Sequence, residues 1–365
     1  MIKTICKILI IVGSILSMVL FVATIVSAYF GYVDPRDNEI MPIVALSFPY
    51  MILLSVVVGV VWLILGKWIY SLLSLIVILS CTPQLSVSFP MNFGKESIEK
   101  PSSRIIKVLT YNIFYGRDIE KPEIGYSRSV NEVLKSDADI VCFQEFYKLR
   151  KTGRSRINQE QIDSLKEKYP YIVEAKGIDV MALSKYPMEH IPDSICKDRK
   201  KRRHESYRIN IGDEVITLLN VHLTSFNLQN EQLDLVENII EYNVDTLSRE
   251  VTDSVYVKLT KAFKQRAEVA ERLRCHMDTI EGNVIVCGDF NDVDNSWVYR
   301  KVKGDDFKDV HSKVGFGPLI TYNYNYMLFG IDHILYKGGL RPLSLERNSL
   351  RSSDHYSVAA TFELQ

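Results

Sequence analysis

The sequence predicts an α/β protein in which two β-sheets are faced with helices and preceded by three transmembrane helices. Three apolar runs fill roughly the first 90 residues, short apolar strands then alternate with amphipathic helices, and polar side chains recur at the strand ends. With 365 residues, 47% of them hydrophobic, the chain can bury a sizeable core. Its 44 basic and 44 acidic side chains cancel, so the chain as a whole lacks the positive charge of a dedicated nucleic-acid binder.

The apolar runs cover residues 8–30, 43–65 and 68–87. The first two contain 23 residues each without a charge, and about 20 suffice to cross a bilayer. Pro83 weakens the third run near its end. A cleaved signal peptide is the alternative for the first run, but that run is long for such a segment and two more runs follow. We therefore expect a membrane domain over residues 1–89.

Charges in the loops predict the orientation of this domain. Lys3 and Lys7 precede the first run and Lys67 separates the second from the third, whereas the loop after the first run is mainly acidic. The positive-inside rule places the N-terminus in the cytoplasm. Three crossings then place the rest of the chain on the extracytoplasmic side of a bacterial membrane; if the third run does not cross, the rest lies inside.

Residues 90–103, with two prolines and three serines, are interpreted as a linker, and residues 104–365 as the soluble domain. Helices are predicted at Ser129–Lys135 and Gln159–Lys168 and within a long region, residues 228–280. A hairpin is predicted around Gly212 and Asp213, since β-rich runs flank them. The run VIVCGDFND, residues 284–292, is a buried strand followed by polar side chains.

The most informative residues are polar side chains at or near the ends of apolar strands. Each has an ordinary interpretation as a turn former, a cap, a solvated strand end or a hydrogen-bonded core histidine, but together they predict one polar site. They are Asn112, Glu145, His222, Asp289, Asn291, Asp332, Asp354 and His355.

The motifs TYN, QE, NVHLTS, GDFND, IDHI and SDHYS, in this order, resemble the endonuclease/exonuclease/phosphatase superfamily. That superfamily includes deoxyribonuclease I, abasic-site endonucleases, neutral sphingomyelinases and inositol polyphosphate 5-phosphatases. The resemblance covers residues 104–365, and GDFN together with SDH is its most specific part. It implies a four-layer αββα sandwich with a Mg²⁺-dependent, or Mn²⁺-dependent, site at one edge of the paired sheets.

The resemblance also implies a role for each residue. Glu145 matches the principal metal ligand, with Asn112 beside it and Asp354 as a further acidic position, and an oxygen-rich site suits Mg²⁺ or Mn²⁺.

Five further residues match catalytic positions of the family. His355 matches the histidine beside the scissile phosphate, and Asp332 matches the carboxylate that orients it. Asp289 and Asn291 match the pair that positions water and phosphate, and either Asp289 or the Asp332/His355 pair is the general base. His222 matches a histidine that steadies the transition state or protonates the leaving group.

Several features stay open. The carboxylate partner of His222 does not align; Asp179 and Glu174 are candidates. His333 is expected to be structural rather than catalytic. The basic run at residues 197–203 is either a solvated surface or a lip that attracts phosphate groups or an anionic bilayer.

Two further stretches also allow two interpretations. Residues 226–257 are either a packed helix or a cap over the substrate. The alternating Tyr322, Tyr324 and Tyr326 either pack on the core or stack on a base or sugar.

The sequence therefore predicts a membrane-anchored, metal-dependent phosphoesterase. We expect its substrates in the order lipid-linked phosphate or pyrophosphate, phospholipid headgroup, and envelope nucleotide or nucleic acid, with membrane lipids contacting the three spans. The alternatives are a Mg²⁺-dependent nuclease acting on DNA or RNA and a non-catalytic membrane scaffold that retains the fold. Retention of all the motif residues argues against the scaffold.

Overall fold

The computed structural model describes residues 2–92, 104–146, 156–175, 178–193, 202–226, 249–324 and 327–365. Several predictions fall wholly or partly outside these ranges: most of the linker (residues 93–103), the greater part of the basic run (residues 197–201), the start of the long helical region (residues 228–248) and Tyr326.

Five helices form the N-terminal part. They are α1 (Ile2–Phe30), α2 (Met41–Leu46), α3 (Phe48–Ile64), α4 (Trp68–Ser80) and α5 (Thr82–Ser88). The predicted second and third runs are each broken, because Pro49 lies in the first turn of α3 and Pro83 in the first turn of α5, where proline is tolerated only near a helix start.

Within the described residues, only Lys3–Phe30 is by itself long and apolar enough to cross a membrane. The α4–α5 pair, bent by 69°, adds a second candidate if it is counted as one span, and Phe48–Ile64 is a shorter apolar helix. The count of three transmembrane helices therefore stays a prediction.

The N-terminal helices pack through small and polar side chains and expose apolar ones. Trp62 Nε1 donates to Ser17 Oγ at 2.8 Å, and Thr24 Oγ1 lies 2.8 Å from Ser55 Oγ. A Cβ on Gly59 would lie 2.5 Å from Ser74 Oγ, so α3 and α4 approach closely. The outer surface carries exposed large apolar side chains throughout α1, α3 and α4. Close small-residue packing with polar contacts inside and apolar side chains outside is typical of helices in lipid.

The remainder contains two mixed six-stranded sheets. Sheet 1 has the order β13 (Leu340–Arg347), β14 (Val358–Leu364), β1 (Ile105–Asn112), β2 (Ile140–Gln144), β4 (Val180–Ser184) and β3 (Tyr171–Glu174). Sheet 2 has the order β5 (Met188–Ile191), β6 (His204–Ile211), β7 (Glu214–His222), β8 (Asn283–Asp289), β12 (Asp332–Lys337) and β9 (Lys308–Asp309). A separate hairpin pairs β10 (Tyr322–Tyr324) with β11 (Met327–Phe329).

Three apolar clusters show how the layers stack. One lies between the sheets and includes Val108, Ile209 and Ile285. A second joins the outer face of sheet 1 to α6 (Arg128–Lys135) and α7 (Gln159–Lys168), and a third joins the outer face of sheet 2 to α8 (Arg249–Met277) and α9 (Trp297–Lys303). The prediction of two sheets flanked by helices in an α/β sandwich is confirmed.

Most predicted elements of the sandwich are present. Helix α7 has the predicted bounds, and Asn158 caps it in a reciprocal capping box with Gln161. The predicted hairpin turns at Gly212 between β6 and β7. Sequence reasoning missed the short elements β5, β9, α9 and α10 (Val310–Val314), which have too few residues to show a periodicity.

The N-terminal helices contact the sandwich directly. Arg36, in the loop after α1, binds both carboxylate oxygens of Glu271 on α8 at 2.7 and 2.8 Å. Asn295, shortly after β8, donates to Ser27 O at 3.1 Å, and Tyr50 near the start of α3 donates to Leu328 O at 2.6 Å. All of these contacts come from the end of α1, the loop that follows it and the start of α3, so one end of the helix bundle faces the sandwich.

Candidate active site

Strand register brings three predicted site residues into one row across sheet 2. The parallel pair β7–β8 places His222 beside Asp289, and the antiparallel pair β8–β12 places Asp332 beside Asp289. His222 ends β7, Asp289 ends β8 and Asp332 begins the antiparallel β12, so the three polar side chains collect at one edge of the sheet. In sheet 1, Asn112 ends β1 and pairs with the last residue of β2, immediately before Glu145.

The Asp289 carboxylate is the centre of the site. Its Oδ2 accepts from Asn112 Nδ2 at 3.0 Å and from Asn291 Nδ2 at 2.9 Å, and its Oδ1 accepts from the backbone N–H of Asn291 at 2.7 Å. His222 Nε2 and His355 Nε2 each lie 3.7 Å from Oδ2. Asn112 belongs to sheet 1 and Asn291 follows β8 of sheet 2, so this buried carboxylate links the two sheets.

Gly288 is required next to this centre. Its φ is +144°, and a Cβ there would lie 1.9 Å from the carbonyl oxygen of Val221 on β7. No side chain fits that distance, so glycine allows β8 to deliver Asp289 directly beside His222.

The surroundings of Glu145, with Asp354 nearby, are suited to a divalent cation. Glu145 Oε2 is buried and meets no hydrogen-bond donor among the described residues, and a buried oxygen left in that state is costly. Burial, and after it the nearby Asp354 carboxylate, raise the pKa of Glu145 to about 7, against the opposing effect of His222. A cation between the two carboxylates would satisfy the free oxygen and remove their repulsion.

Two site residues have strained backbones. The φ values of Glu145 and Asn291 are +53° and +51°, in the left-handed region that non-glycine residues rarely occupy. Such conformations cost of order 1 kcal/mol and persist where surrounding contacts hold them. Asn291 is held by Asp289 and by Leu223 O, which accepts from its side chain at 3.1 Å. The left-handed backbone sets the direction in which each of the two side chains leaves the chain.

His355 is held by Asp332. His355 Nδ1 lies 2.8 Å from Asp332 Oδ2, which leaves Nε2 to face Asp289. Burial alone would lower the pKa of His355, but Asp332 and Asp289 outweigh it and raise that pKa well above the ordinary histidine value. Asp289, Asp332 and His355 lie close enough to resemble a metal cluster. Because Asp332 already occupies one nitrogen of His355, a hydrogen-bonded pair explains their proximity without a cation.

His222 is held by Asp179 in the same way. Its Nδ1 lies 2.9 Å from Asp179 Oδ1, while its Nε2 makes no hydrogen bond to a described residue and lies 3.9 Å from Glu145 Oε1. Burial opposes protonation, but Asp179 and then Asp289 raise the pKa of His222 to about 9. Of the two carboxylates considered from the sequence, Asp179 and not Glu174 meets this histidine.

The structure therefore brings all eight predicted residues to one edge of the sandwich. His333 is not among the reacting groups, since its Nε2 donates to Asp292 O at 2.9 Å and its ring packs on Phe290. Tyr322, for which the sequence left open packing on the core or stacking on a base or sugar, has its ring centroid 5.0 Å from that of His355.

Sequence reasoning missed Arg266. This fully buried guanidinium on α8 donates to Asn291 O and pairs with Asp292 at 3.1 Å, so it holds the loop that carries Asn291. The sequence offered one signal for this role, because Arg266 is a single arginine on the apolar face of α8.

A family model described as the endonuclease/exonuclease/phosphatase family matches residues 109–355. The chain belongs to this family. A second model, described as a domain of unknown function (DUF8431), matches residues 7–88, which hold the N-terminal helices. A search of curated protein sequences finds no match.

Several solved structures are similar to this chain at low sequence identity. An endonuclease/exonuclease/phosphatase from Beutenbergia cavernae is 15% identical, covers 72% of this chain and 72% of its own, and has a TM-score of 0.47. A 3′ phosphatase, NExo, from Neisseria bound to a product DNA hairpin is 15% identical over 71% of this chain and 99% of its own, with a TM-score of 0.46. Beta toxin from Staphylococcus aureus is 16% identical over 70% and 99%, with a TM-score of 0.44.

The raised pKa of Glu145 predicts how Mg²⁺ binding depends on pH. The carboxyl is protonated below pH 7 and must release its proton to bind a cation, so acid competes with the metal. We expect the apparent Kd for Mg²⁺ to weaken about tenfold for each pH unit from 7 down to 5, as one displaced proton requires. Isothermal titration calorimetry measures it.

Glu145→Gln should remove most of this binding, whereas Glu167→Gln, at an exposed position on α7, should leave both the affinity and its pH dependence in place. An affinity for Mg²⁺ that is constant between pH 5 and 8 in the unaltered protein contradicts the assignment of Glu145.

Proposed function

We propose that this protein is a Mg²⁺- or Mn²⁺-dependent phosphoester hydrolase. The observation that carries the proposal is the Asp289 centre, where two carboxylate-held imidazoles and two amide side chains surround one buried carboxylate. Beside it lies Glu145, whose Oε2 meets no donor among the described residues. Attack of water on a phosphoester needs a cation site, positively charged hydrogen-bond donors and a group that accepts a proton, and all three lie together at this edge of the sandwich.

In this proposal Glu145 and Asp354 hold the cation, with Asn112 beside them. When bound, the cation neutralises charge on the phosphate oxygens. The two imidazoles present their Nε2 atoms as charged donors, because the raised pKa values of His222 and His355 keep both protonated at neutral pH. Such donors stabilise the charge that develops on the phosphoryl and leaving oxygens.

Asp289 is our candidate for the general base. With both imidazoles protonated, it is the acceptor at the centre of the site, and burial raises its pKa above the ordinary aspartate value, towards that of a useful base. Asn291, fixed by its contacts to Asp289 and Leu223, positions the phosphate. Proton transfer from water to Asp289, with His222 or His355 protonating the leaving oxygen, balances the reaction.

We further propose that residues 1–89 form a three-span membrane domain, with residues 90–103 a linker and residues 104–365 the catalytic domain. The exposed apolar side chains of α1, α3 and α4 support this, since such surfaces are unfavourable in water. The contacts to the sandwich come from residues 27–50 and 88–91. Both ranges lie at the same end of the helix bundle, as they must if the chain crosses the membrane three times before it enters the catalytic domain. The positive-inside rule then places the catalytic domain on the extracytoplasmic side.

This arrangement favours a lipid-linked phosphate or pyrophosphate as substrate, with a phospholipid headgroup next. A continuous set of contacts runs from the site to the helices: His355 packs on Tyr322, Tyr322 pairs with Phe329 across the β10–β11 hairpin, and Phe329 packs on Tyr50 of α3 at 6.1 Å. A Cβ on Gly31 would lie 1.6 Å from Asn295 O, so the loop after α1 lies directly against the segment that follows the GDFND motif. The β10–β11 hairpin therefore lies between the active site and the ends of the N-terminal helices.

Turnover of a substrate panel tests the activity. The full chain in detergent is assayed with bis(p-nitrophenyl) phosphate, plasmid DNA, phosphatidyl headgroup lipids and prenyl pyrophosphate, each with Mg²⁺ or Mn²⁺. We expect metal-dependent hydrolysis that favours a lipid, and a fall in kcat of about 10²-fold or more in Glu145→Ala and His355→Ala. Glu167→Ala and His190→Ala are the matched controls, since both side chains are exposed, and they should retain activity.

The enzyme proposal is contradicted if no substrate is turned over, or if Glu145→Ala and His355→Ala turn over substrate as fast as the unaltered protein; the scaffold alternative is then favoured. DNA nicking without lipid turnover favours the nuclease alternative.

A reporter fusion tests the topology. Alkaline phosphatase fused after Gln365 folds only outside the cytoplasm, so three crossings predict an active fusion. The same reporter fused after Lys67 should be inactive, because the turn between α3 and α4 lies in the cytoplasm in this topology. An inactive fusion at Gln365 combined with an active one at Lys67 contradicts it.

A further inference from the structure

A second cluster of ligand-type side chains lies away from the active site. Asp193 follows β5, His204 begins β6 and His276 lies in the last turn of α8. His204 Nε2 is 3.4 Å from Asp193 Oδ2, and His276 Nδ1 is 3.4 Å from Asp193 Oδ1. All three side chains are buried, and one ligand atom from each lies within 4.8 Å of the others.

This cluster occupies the opposite face of sheet 2 from the cleft between the sheets. Along β6, Tyr207 and Ile209 point into the inter-sheet core, as their membership of that cluster shows. Strand alternation places His204 and Ser206 on the other face, against α8. His222 lies at the inter-sheet edge with Asp289, so the two groups of histidines are separated by the sheet itself.

The imidazole nitrogens are poorly satisfied without an additional partner. Both ring nitrogens of His204 are buried and make no hydrogen bond to a described residue, and the same holds for Nδ1 of His276. The His204 side chain is only 2% exposed, so solvent does not compensate. Buried polar atoms in this state cost free energy, and three of them in one cluster indicate a bound group.

One hydrogen bond prepares His276 as a ligand. Its Nε2 lies 2.9 Å from Ser206 Oγ, so a proton on Nε2 donated to this hydroxyl leaves the Nδ1 lone pair facing Asp193 and His204. Histidines that bind metals commonly use their second nitrogen in this way, which fixes the tautomer and the ring direction.

We propose that Asp193, His204 and His276 bind a divalent transition-metal ion of the Zn²⁺ type. Two imidazole nitrogens and one carboxylate suit zinc or its neighbours in the transition series, whereas Mg²⁺ prefers oxygen ligands. Bonds of about 2.0–2.1 Å in a tetrahedron place ligand atoms about 3.3–3.4 Å apart. Each imidazole lies 3.4 Å from one of the two Asp193 oxygens, so small side-chain rotations suffice to bring one oxygen and both nitrogens to that spacing. The ion joins the end of β5, the start of β6 and the last turn of α8.

Metal binding by the full chain in detergent tests this site. Chelator-treated protein is titrated with Zn²⁺ and with Co²⁺, whose visible absorption bands report a tetrahedral nitrogen-containing site. We expect one equivalent to bind in the presence of excess Mg²⁺ and to raise the Tm. His204→Gln and His276→Gln should each weaken this binding at least about tenfold, as loss of a ligand does.

Two controls separate this site from the active site. His355→Gln should retain the Zn²⁺ equivalent, and so should His190→Gln, a change on the neighbouring strand β5. Circular dichroism of the metal-free variants shows whether they fold. Zinc K-edge absorption of the His355→Gln protein is a second measurement that needs no change in the cluster, and it should count about two imidazole ligands.

The proposal is overturned if chelator-treated protein takes up no Zn²⁺ in excess Mg²⁺. It is also overturned if folded His204→Gln and His276→Gln proteins bind as tightly as the unaltered chain, if the equivalent is lost in His355→Gln instead, or if the K-edge spectrum shows oxygen ligands alone.

Discussion

The burial of the Asp289 carboxylate is the constraint on which the rest of the site depends. A carboxylate removed from water is unstable unless donors or positive charges surround it. Here the donors come from both sheets, because Asn112 ends a strand of sheet 1 and Asn291 follows a strand of sheet 2. The two imidazoles face the same oxygen and are themselves held by Asp179 and Asp332. The buried charge of Asp289 therefore joins the two sheets at this edge, and it adds to the effects of Asp179 and Asp332 that keep the two histidines protonated.

The strands explain why so much of the site could be predicted from the sequence. Asn112, Glu145, His222 and Asp289 each end or directly follow an apolar strand, so their position at a sheet edge follows from strand pattern alone. Which strands neighbour one another depends on tertiary packing, and the family resemblance implied only that the site lies at one edge of the paired sheets. Asp179 could not be chosen over Glu174 from the sequence, because the choice depends on how the residues before β4 approach β7.

Other contacts could not be predicted from the sequence for similar reasons. Arg266 is about 25 residues from the loop it holds, and only the packing of α8 on sheet 2 brings them together. The breaks between α2 and α3 and between α4 and α5 follow from Pro49 and Pro83, yet an apolar run by itself does not show where a helix restarts. Prediction succeeded where a local pattern decides the structure and failed where distant packing does.

The molecule combines three kinds of chemistry in separate places. Apolar helices with exposed aliphatic surfaces occupy the N-terminal part, and an oxygen-rich centre with protonated imidazoles lies at the sheet edge. Two buried imidazoles with one carboxylate lie behind sheet 2. The pKa values of His222 and His276, about 9 and about 4, show that the same residue type is held in opposite charge states by its surroundings. His222 faces several carboxylates, whereas His276 faces one carboxylate and another histidine.

The most direct test of this account replaces only the central charge. Asp289→Asn keeps the shape of the side chain but removes the negative charge and the capacity of one oxygen to accept. We predict that hydrolysis of bis(p-nitrophenyl) phosphate falls by about 10²-fold or more and that the pKa values of His222 and His355, measured by NMR, both fall, while the protein remains folded. An Asp289→Asn protein with unchanged turnover and unchanged histidine pKa values would contradict the account.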